Sequence, residues 1–494
     1  MKNRTRLTGL RFFLNLDMQK IKLLFLSFLI LPGLFAQDNN GKTDLKVSLN
    51  SFASTGTELP FWITSNHNGV FTMESKNYQL LQAGFTRFLV DGSKNKWDYT
   101  WGANLVYGYG GKSDFQANEY WVGARYKWLN IIVGAKADPI LYGGLSSTNG
   151  NIDRSNNARP LPGISFSSNG FIPFLFWKKW FSVKGIYEEK FFSGHAYVSD
   201  AHLHHKALYG RAILGDKLTI TASLEHFVEW GGTSPELGPM PGMNQYLNYV
   251  LNLRAGSGAY VDDQTNKAGN QLGNYSIEIK KAWAKSSLTF YWNHLFEDQS
   301  GIEMQNWCDG LYGLHYSKKD HSALVTDFVY EFMYTKNQSG SLHMVSDPTP
   351  EDPNHWYGRG KDNYFDHFVY RSYSYYNRMI GTPLFIPIIG TNGVASGFES
   401  TRMWMHHIGL KGSLSKEVYW KTMLTYSRNF GTYDNAYPTR GGVYPVPLDE
   451  FSFLGEFIYN GKQLPFSVNV GISGDYGKRF KDNLGGYAGI SYQF

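Results

Sequence analysis

From about residue 80 to its last residue this chain repeats one pattern: apolar side chains at every second position, interrupted by turn-forming segments. Phe466, Val468, Val470, Ile472 and Tyr476 fall on one side of an extended segment, and Ser467, Asn469, Gly471, Ser473 and Asp475 on the other. Trp101, Ala103, Leu105 and Tyr107 oppose Thr100, Gly102, Asn104 and Gly108. Leu218, Ile220, Ala222 and Leu224 oppose Thr219, Thr221, Ser223 and Glu225, and Leu324, Phe328, Tyr330 and Phe332 oppose Val325, Asp327, Val329 and Glu331. Successive side chains of a strand point to opposite faces, so each segment predicts a strand with one apolar face. In a soluble sandwich that face is the core; in a membrane barrel it meets lipid and the polar face lines the interior. Alternation alone does not choose.

The two ends choose. In Leu484 to Phe494, Ala488, Ile490, Tyr492 and Phe494 share one face, and Tyr487, Gly489, Ser491 and Gln493 the other. A terminal Phe closing such a strand resembles the last strand of bacterial outer-membrane barrels. That resemblance implies a signal, Phe494 with Tyr492, read by the barrel-insertion machinery. Met18 to Ala36 has a basic start, an apolar run and a small residue before Gln37, which predicts a cleaved secretory signal peptide. The run, Leu23 to Phe35, is thirteen residues, shorter than the ~20 of a spanning helix. Residues 1–36 are therefore read as an N-terminal extension and signal peptide, with Met1 or Met18 as the start. Residues 37–494 are read as a single barrel domain in the cell outer membrane.

Composition fits. No other long apolar run exists, which excludes a helical membrane protein. Aromatics reach 17%, with 34 Tyr, 34 Phe and 14 Trp, beside 53 Gly. Barrels use aromatics as interfacial girdles and glycine where strands bend or pack closely. The single cysteine, Cys308, excludes an internal disulfide and a Cys-based zinc centre. A net charge of +6, partly from the signal region, is too small and scattered for nucleic acid.

Connection lengths add an independent signal. Tight links at Asp91–Lys96, Trp128–Asn130, Lys178–Trp180, Gly215–Lys217, Ala284–Ser286, Lys318–His321, Gly412–Lys416 and Asn460–Gly461 alternate with longer segments. The longer ones are 109–116, 139–170, 189–204, 229–274, 296–309, 334–401, 429–449 and 477–483. This is the asymmetry of short periplasmic turns and long extracellular loops. Seventeen strands follow residue 80, and Leu45 to Ala53 supplies one more, giving about eighteen antiparallel strands. Loops as long as 139–170 and 334–401 are functional or disordered, and their aromatics argue against disorder.

Three stretches carry a family resemblance: Leu59 to Gly69, His204 to Arg211, and Leu224 to Gly232 with its Trp230-Gly-Gly element. The chain resembles the capsule assembly Wzi family in its Bacteroidota form. The resemblance implies an eighteen-stranded outer-membrane barrel with an occluded lumen. It also implies a lectin-like role, binding exported capsular polysaccharide and helping attach it to the cell surface. Enterobacterial members carry a small helical plug, to which no segment here is assigned.

Catalytic chemistry finds little support. His202, His204 and His205 cluster, yet two histidines on one face lack the third donor of a metal site, and a strand start near the rim accounts for them. Glu225 and Glu229, or Asp327 and Glu331, lie about 13 Å apart along a strand rising ~3.3 Å per residue, beyond either glycosidase geometry. Inward carboxylates of a barrel pair with inward bases such as Lys411 or Lys421. No motif singles out a Ser-His pair. No catalytic residue, cofactor or metal is therefore expected. Sugar binding needs flat rings and planar hydrogen-bonding groups. The loops offer Trp230, Trp307, Trp356 and Tyr357 as rings, and Asn151, Arg154, Arg159 and Arg359 as polar partners. The reading is a non-enzymatic, outer-membrane, polysaccharide-binding barrel whose other partners are outer-membrane lipids. A porin or exporter channel, and an outer-membrane hydrolase or lipid-modifying enzyme, stay open as alternatives.

Overall fold

The computed structural model describes residues 41–89, 97–177, 180–253, 268–297, 299–340, 344–346, 348–351, 353, 356–358, 362–433, 442–461 and 463–494. The signal-peptide segment 1–36 and Arg359 lie outside them. Eighteen antiparallel strands close into one barrel. They are β1 (Gly41–Ser54), β2 (Asn77–Leu89), β3 (Asp98–Tyr109), β4 (Ser113–Tyr126), β5 (Leu129–Ala135) and β6 (Gly163–Ser168). Then come β7 (Phe181–Phe191), β8 (His202–Leu214), β9 (Leu218–Trp230), β10 (Asn270–Ala282), β11 (Ser286–Phe296) and β12 (Gly310–Lys318). The last six are β13 (Asp327–Tyr334), β14 (Met403–Ser413), β15 (Val418–Gly431), β16 (Val443–Tyr459), β17 (Ser467–Gly477) and β18 (Asn483–Gln493). A two-residue strand, Ile172–Pro173, continues β6 along β7.

Closure pairs β1 with β18, Lys46 opposite Gln493 through Ser54 opposite Gly485. The Phe494 N–H donates to the Leu45 carbonyl at 2.9 Å, and its ring meets Tyr492 edge-on at 4.3 Å. A closed barrel leaves no unpaired strand edge, which the hydrocarbon of a membrane would not tolerate.

The faces follow the alternation. Val470, Ile472, Tyr476, Ile490 and Tyr492 are exposed on the outer surface, while Ser473 and Asp475 are buried inside. On β13, Asp327, Val329, Glu331 and Met333 face inward and are buried. The connections at one end are mostly short, including 127–128, 215–217, 283–285 and 414–417. At the other lie 55–76, 136–162, 192–201, 231–269, 297–309, 335–402 and 432–442.

Several expected connections differ. The Lys318–His321 link is the longer segment 319–326, and the 139–170 loop ends at residue 162, so that β6 lies within it and the link expected at Lys178–Trp180 begins at residue 169. The segment 109–116 is a three-residue turn, 110–112, because Gly111 takes φ +96° and reverses the chain at once. The Asn460–Gly461 turn belongs to a longer connection, 460–466. Neither residue has the positive φ of a two-residue hairpin, and Pro465 lacks the N–H to extend the ladder.

The largest apolar cluster lies inside the barrel. At the loop end, successive inner walls contribute Leu203, Phe227, Leu272, Leu295, Leu311, Met333 and Met405. Packed on them are Trp62, Ile152, Tyr364, Phe365, Tyr373, Met379, Phe385 and Phe398, all from loops. The lumen is occluded by the protein's own connections.

Candidate functional site

Three loops build the plug: 55–76, 136–162 and 335–402. The middle one descends furthest. The Tyr142 ring stacks on Tyr291 at 4.1 Å and 15°, and its hydroxyl donates to Glu278 at 3.0 Å. Lys411 Nζ donates to the Gly143 carbonyl at 3.0 Å, near the periplasmic start of β13. Glycines permit the close approaches. A Cβ on wall residue Gly409 would sit 2.7 Å from the Leu145 carbonyl oxygen, and one on Gly381 would sit 2.0 Å from that of Ile152.

Buried polar groups hold this loop at defined points. The Glu331 carboxylate accepts from Ser146 Oγ at 2.5 Å, the Ser147 N–H at 2.8 Å, Ser147 Oγ at 2.5 Å and the Tyr291 hydroxyl at 2.6 Å. His407 Nε2 lies 2.8 Å from the Leu145 carbonyl. The loops also zip to one another. Thr382 N–H donates to the Ile152 carbonyl at 2.8 Å, Ser155 N–H to that of Ile380 at 3.0 Å, and Gly69 N–H to that of Asn157 at 3.0 Å. The short helix Phe61–Thr64 enters beside them. The Phe61 N–H donates to Asp475 at 2.9 Å and Trp62 Nε1 to Thr425 Oγ1 at 3.1 Å. Leu59 to Gly69, one of the three family-like stretches, is therefore part of the plug.

Between the plug and β7–β9 lies a small cleft of ≈ 50 Å³, lined by Lys136, Asp138, Arg154, Arg159, Glu188, Lys190 and His205. Arg154 is its fixed wall. Its Nε and Nη2 donate to Asp138 at 2.6 and 2.9 Å, and its Nη1 to Glu188 at 2.5 Å. His205 lies between Glu188 at 2.8 Å and Glu225 at 3.3 Å, its ring stacked on Phe227 at 4.2 Å. Cations outnumber carboxylates along the lining, which suits an anionic or hydroxyl-rich ligand.

At the rim, Tyr376 and Asn377 form the two-residue turn of a hairpin in which Ser374 pairs with Met379. Both have positive φ, 49° and 60°. This turn type demands that geometry and normally takes Asn-Gly; a tyrosine there is strained. The Arg159 guanidinium lies 3.7 Å over the Tyr376 ring, and His195, itself at φ 45°, lies 4.9 Å away. Asn377 ties down the far side, donating to the Gly393 carbonyl at 2.9 Å and accepting from the Ala395 N–H at 2.9 Å. Tyr376 is half-buried against the apolar cluster, and strain held by its surroundings is a mark of functional positions.

The residues expected to bind sugar scatter. Arg159 lines the cleft and reaches the rim, where it also donates to Gln116. Arg154 lines it too, but its donors are taken by Asp138 and Glu188. Asn151 supports it: Asn151 Oδ1 accepts the Asp153 and Arg154 N–H groups at 2.9 and 3.2 Å. Trp307 stands 70% exposed on loop 297–309. Trp356 and Tyr357 lie in a short strand paired with Met344–Ser346. Trp230 is buried on the outside of the barrel wall, stacked between His202 at 4.3 Å and Tyr249 at 5.4 Å. Its ring is covered in this arrangement because the loop after it folds back over the wall. Tyr376, His195, Lys136 and Lys190 were not singled out by sequence. Their only local signal was the tyrosine-rich run Tyr373 to Tyr376.

Of the inward carboxylates expected to pair with a base, Asp327 meets a lysine, while Glu225 takes His205 and Tyr209 and Glu331 takes serine and tyrosine donors. Lys411 lies 3.7 Å from Asp327, and Lys421 3.7 Å from Glu456. Glu229 instead accepts from Asn270 at 2.6 Å.

No family model matches the chain, and no curated protein matches it. Among solved structures, Wzi of Escherichia coli, an outer-membrane protein involved in group 1 capsule assembly and a carbohydrate-binding β-barrel, aligns over 96% of this chain and 88% of its own. The TM-score is 0.55 and the identity 14%. OprD of Pseudomonas aeruginosa covers 92% of this chain and 95% of its own at a TM-score of 0.47 and 10% identity. OccK5 of the same organism covers 92% and 98% at 0.45 and 9%. At such identities the likeness is one of fold: the chain is an outer-membrane β-barrel.

Proposed function

We propose that this protein is a non-catalytic outer-membrane lectin of the Wzi kind. In this reading it is exported through a cleaved signal peptide, Met18 to Ala36. It binds exported capsular or other surface polysaccharide through its extracellular loops and helps attach it to the cell. The observation that carries the reading is the filled lumen. Loops 55–76, 136–162 and 335–402 are clamped to the wall and to each other by buried hydrogen bonds, which leaves the loop surface and its cleft as the part available to a polymer. The buried carboxylates Glu225, Asp327 and Glu331 are occupied by structural partners, which favours binding over hydrolysis. Arg159, Lys136, Lys190 and the strained Tyr376 are the favoured contacts, with Trp307, Trp356 and Tyr357 as further rings.

A porin or exporter would need a path through the same packed loops. Two measurements separate these readings. The purified protein in planar bilayers is expected to give no conductance steps, and a deletion strain is expected to shed polysaccharide that the parent retains. Steady conductance in the wild type with unchanged retention in the deletion strain would replace the lectin reading with the porin one.

A further inference from the structure

One loop folds the opposite way. After Trp230 the chain forms a small hairpin, Thr233–Ser234 with Gly238–Pro239, then a 3-10 turn at Met243–Gln245 and the helix Tyr246–Leu251. The helix packs on the outer face of the wall. Tyr249 and Tyr246 cover Val228 and Trp230, whose side chains oppose the inward Phe227 and Glu229 on β9. Beneath it the wall is polar: Glu189, His204, Lys206, His226 and Gln271 all share the outward parity of exposed Leu208 and Leu224. Each has a partner under the helix. His204 Nδ1 lies 2.6 Å from Glu189, and Glu189 also takes the Tyr246 hydroxyl. Tyr246 meets the Tyr187 hydroxyl at 2.5 Å. His226 Nε2 lies 2.6 Å from Gln271, and Lys206 donates to the Val250 carbonyl near the helix C-terminus.

The outer side of the same segment is apolar. Met243, Leu247, Leu251 and Leu253 are each about half exposed or more. The first three recur at four-residue spacing and form one stripe. Lys206 lies four residues below the strand start at His202, about 13 Å along the strand at ~3.3 Å per residue. At a barrel strand tilt of roughly 40° this is about 10 Å below the rim, alongside membrane. The stripe continues the lipid-facing surface of Leu208 and Leu224.

We propose that this segment is a lipid-facing flap, whose Met243, Leu247, Leu251 and Leu253 take the acyl chains of the outer leaflet and so screen a polar band of the barrel wall from hydrocarbon. A charged residue on the lipid face of a barrel is destabilising in a depth-dependent way, and the flap lowers that cost by bonding Glu189 through Tyr246 and Lys206 through the Val250 carbonyl and by covering the wall pairs His204–Glu189 and His226–Gln271. This goes beyond the polysaccharide reading and does not depend on it.

Site-directed spin labelling tests it. Labels are placed at Leu247→Cys and Leu251→Cys in a Cys308→Ser background, with the full chain in phosphatidylcholine–phosphatidylglycerol liposomes. Leu208→Cys on the bare wall and Lys416→Cys in an exposed turn are the references. Variants are accepted as folded when their heat-modifiable mobility matches the wild type. Oxygen collisions as frequent as at position 208, with loss of collisions with a water-soluble nickel chelate, are expected at 247 and 251. Chelate collisions matching those at 416 would place the flap in water and overturn the proposal. Low collision rates with both reagents would mean that protein covers the stripe, a second copy of the chain included, and would overturn it equally.

Discussion

Loop 136–162 and segment 231–253 leave the same end of the same barrel, and one folds into it while the other folds outside. Both are rich in aromatic and polar residues, so composition does not separate them. The wall does. Near the loop end the inner surface carries an apolar row, Leu203, Phe227, Leu272, Leu295 and Leu311 on adjoining strands, beside the charged groups of the cleft. The outer surface behind it carries Glu189, His204, Lys206, His226 and Gln271. The inward apolar row and the outward polar band each depart from the usual barrel arrangement of apolar outside and polar inside. An apolar inner wall stays stable only if something apolar fills it, and a polar outer wall only if something polar covers it. The plug covers the one and the flap the other.

If the two regions are independent, each can be broken without the other. The largest effect is expected from Glu331→Ala. It leaves the Ser147 N–H, two serine hydroxyls and the Tyr291 hydroxyl without their acceptor, at about 1–3 kcal/mol for each buried group left unsatisfied. Loop 136–162 should detach and conductance steps should appear in planar bilayers, with strand content unchanged by circular dichroism. A mutant as closed as the wild type would show that the other contacts alone hold the plug. Next comes Trp230→Ala, which empties the stack between His202 and Tyr249; deleting a buried tryptophan costs about 3–5 kcal/mol. Proteolytic cutting within 231–253 should rise while the bilayer stays silent. Conductance in this variant would contradict the independence of the two regions.

Acid should discriminate as well. The half-buried His367 accepts the Val369 N–H through Nδ1 at 3.2 Å, which requires that nitrogen to be unprotonated. Burial, with Arg371 nearby, lowers its pKa to about 4. A folded-state pKa below the usual 6.5 means that the contribution is complete above 6.5 and is lost as the pH falls toward 4. Asp309 works the other way. Burial raises its carboxyl to about 6 although Gln338 N–H and the Tyr364 hydroxyl donate to it at 2.6 and 2.7 Å. Its contribution is complete below 3.8 and fades as the pH rises through 6. Proteolysis of 362–402 should therefore be more acid-sensitive in the wild type than in His367→Gln between pH 6.5 and 4. Equal sensitivity would remove His367 from the account. The flap should not respond to this substitution.

The smallest effect is expected from Arg159→Ala with Tyr376→Ala at the rim. Each aromatic or cationic contact to a sugar is worth ~1 kcal/mol, so the pair should weaken polysaccharide binding roughly ten-fold or more. For an acidic polymer the Arg159 share should shrink in high salt. Neither plug nor flap should loosen, and binding unchanged at two salt concentrations would shift attention to Trp307, Trp356 and Tyr357.

Much of the barrel was legible because its rule is local. Facing is set by a period of two, so Ser473 and Ile472 declare opposite sides with no knowledge of their neighbours. The loops have no such rule. Arg154 was singled out as a sugar contact from its residue type and loop position. Only the fold brought Asp138, from the same loop, and Glu188, from β7, onto its guanidinium. Trp230 was taken for an open platform, and only the return of Tyr249 over the wall covers it. Tyr376 escaped notice because a positive φ at a tyrosine contradicts local preference and survives only through Arg159 and His195.

By itself, then, the order of residues determined the strand count, the two faces, the antiparallel sequence of short turns and long loops, and the closing strand that ends at Phe494. These depend on alternation and on turn-forming residues, which act over a few positions. The tertiary structure alone decided which way each loop folds, where the plug meets Glu331, and that the most family-like strands, β8 and β9, carry a charged cleft on one face and a covered polar band on the other. Those outcomes depend on pairing residues far apart in the chain, whose gain exists only once the barrel wall has brought them together.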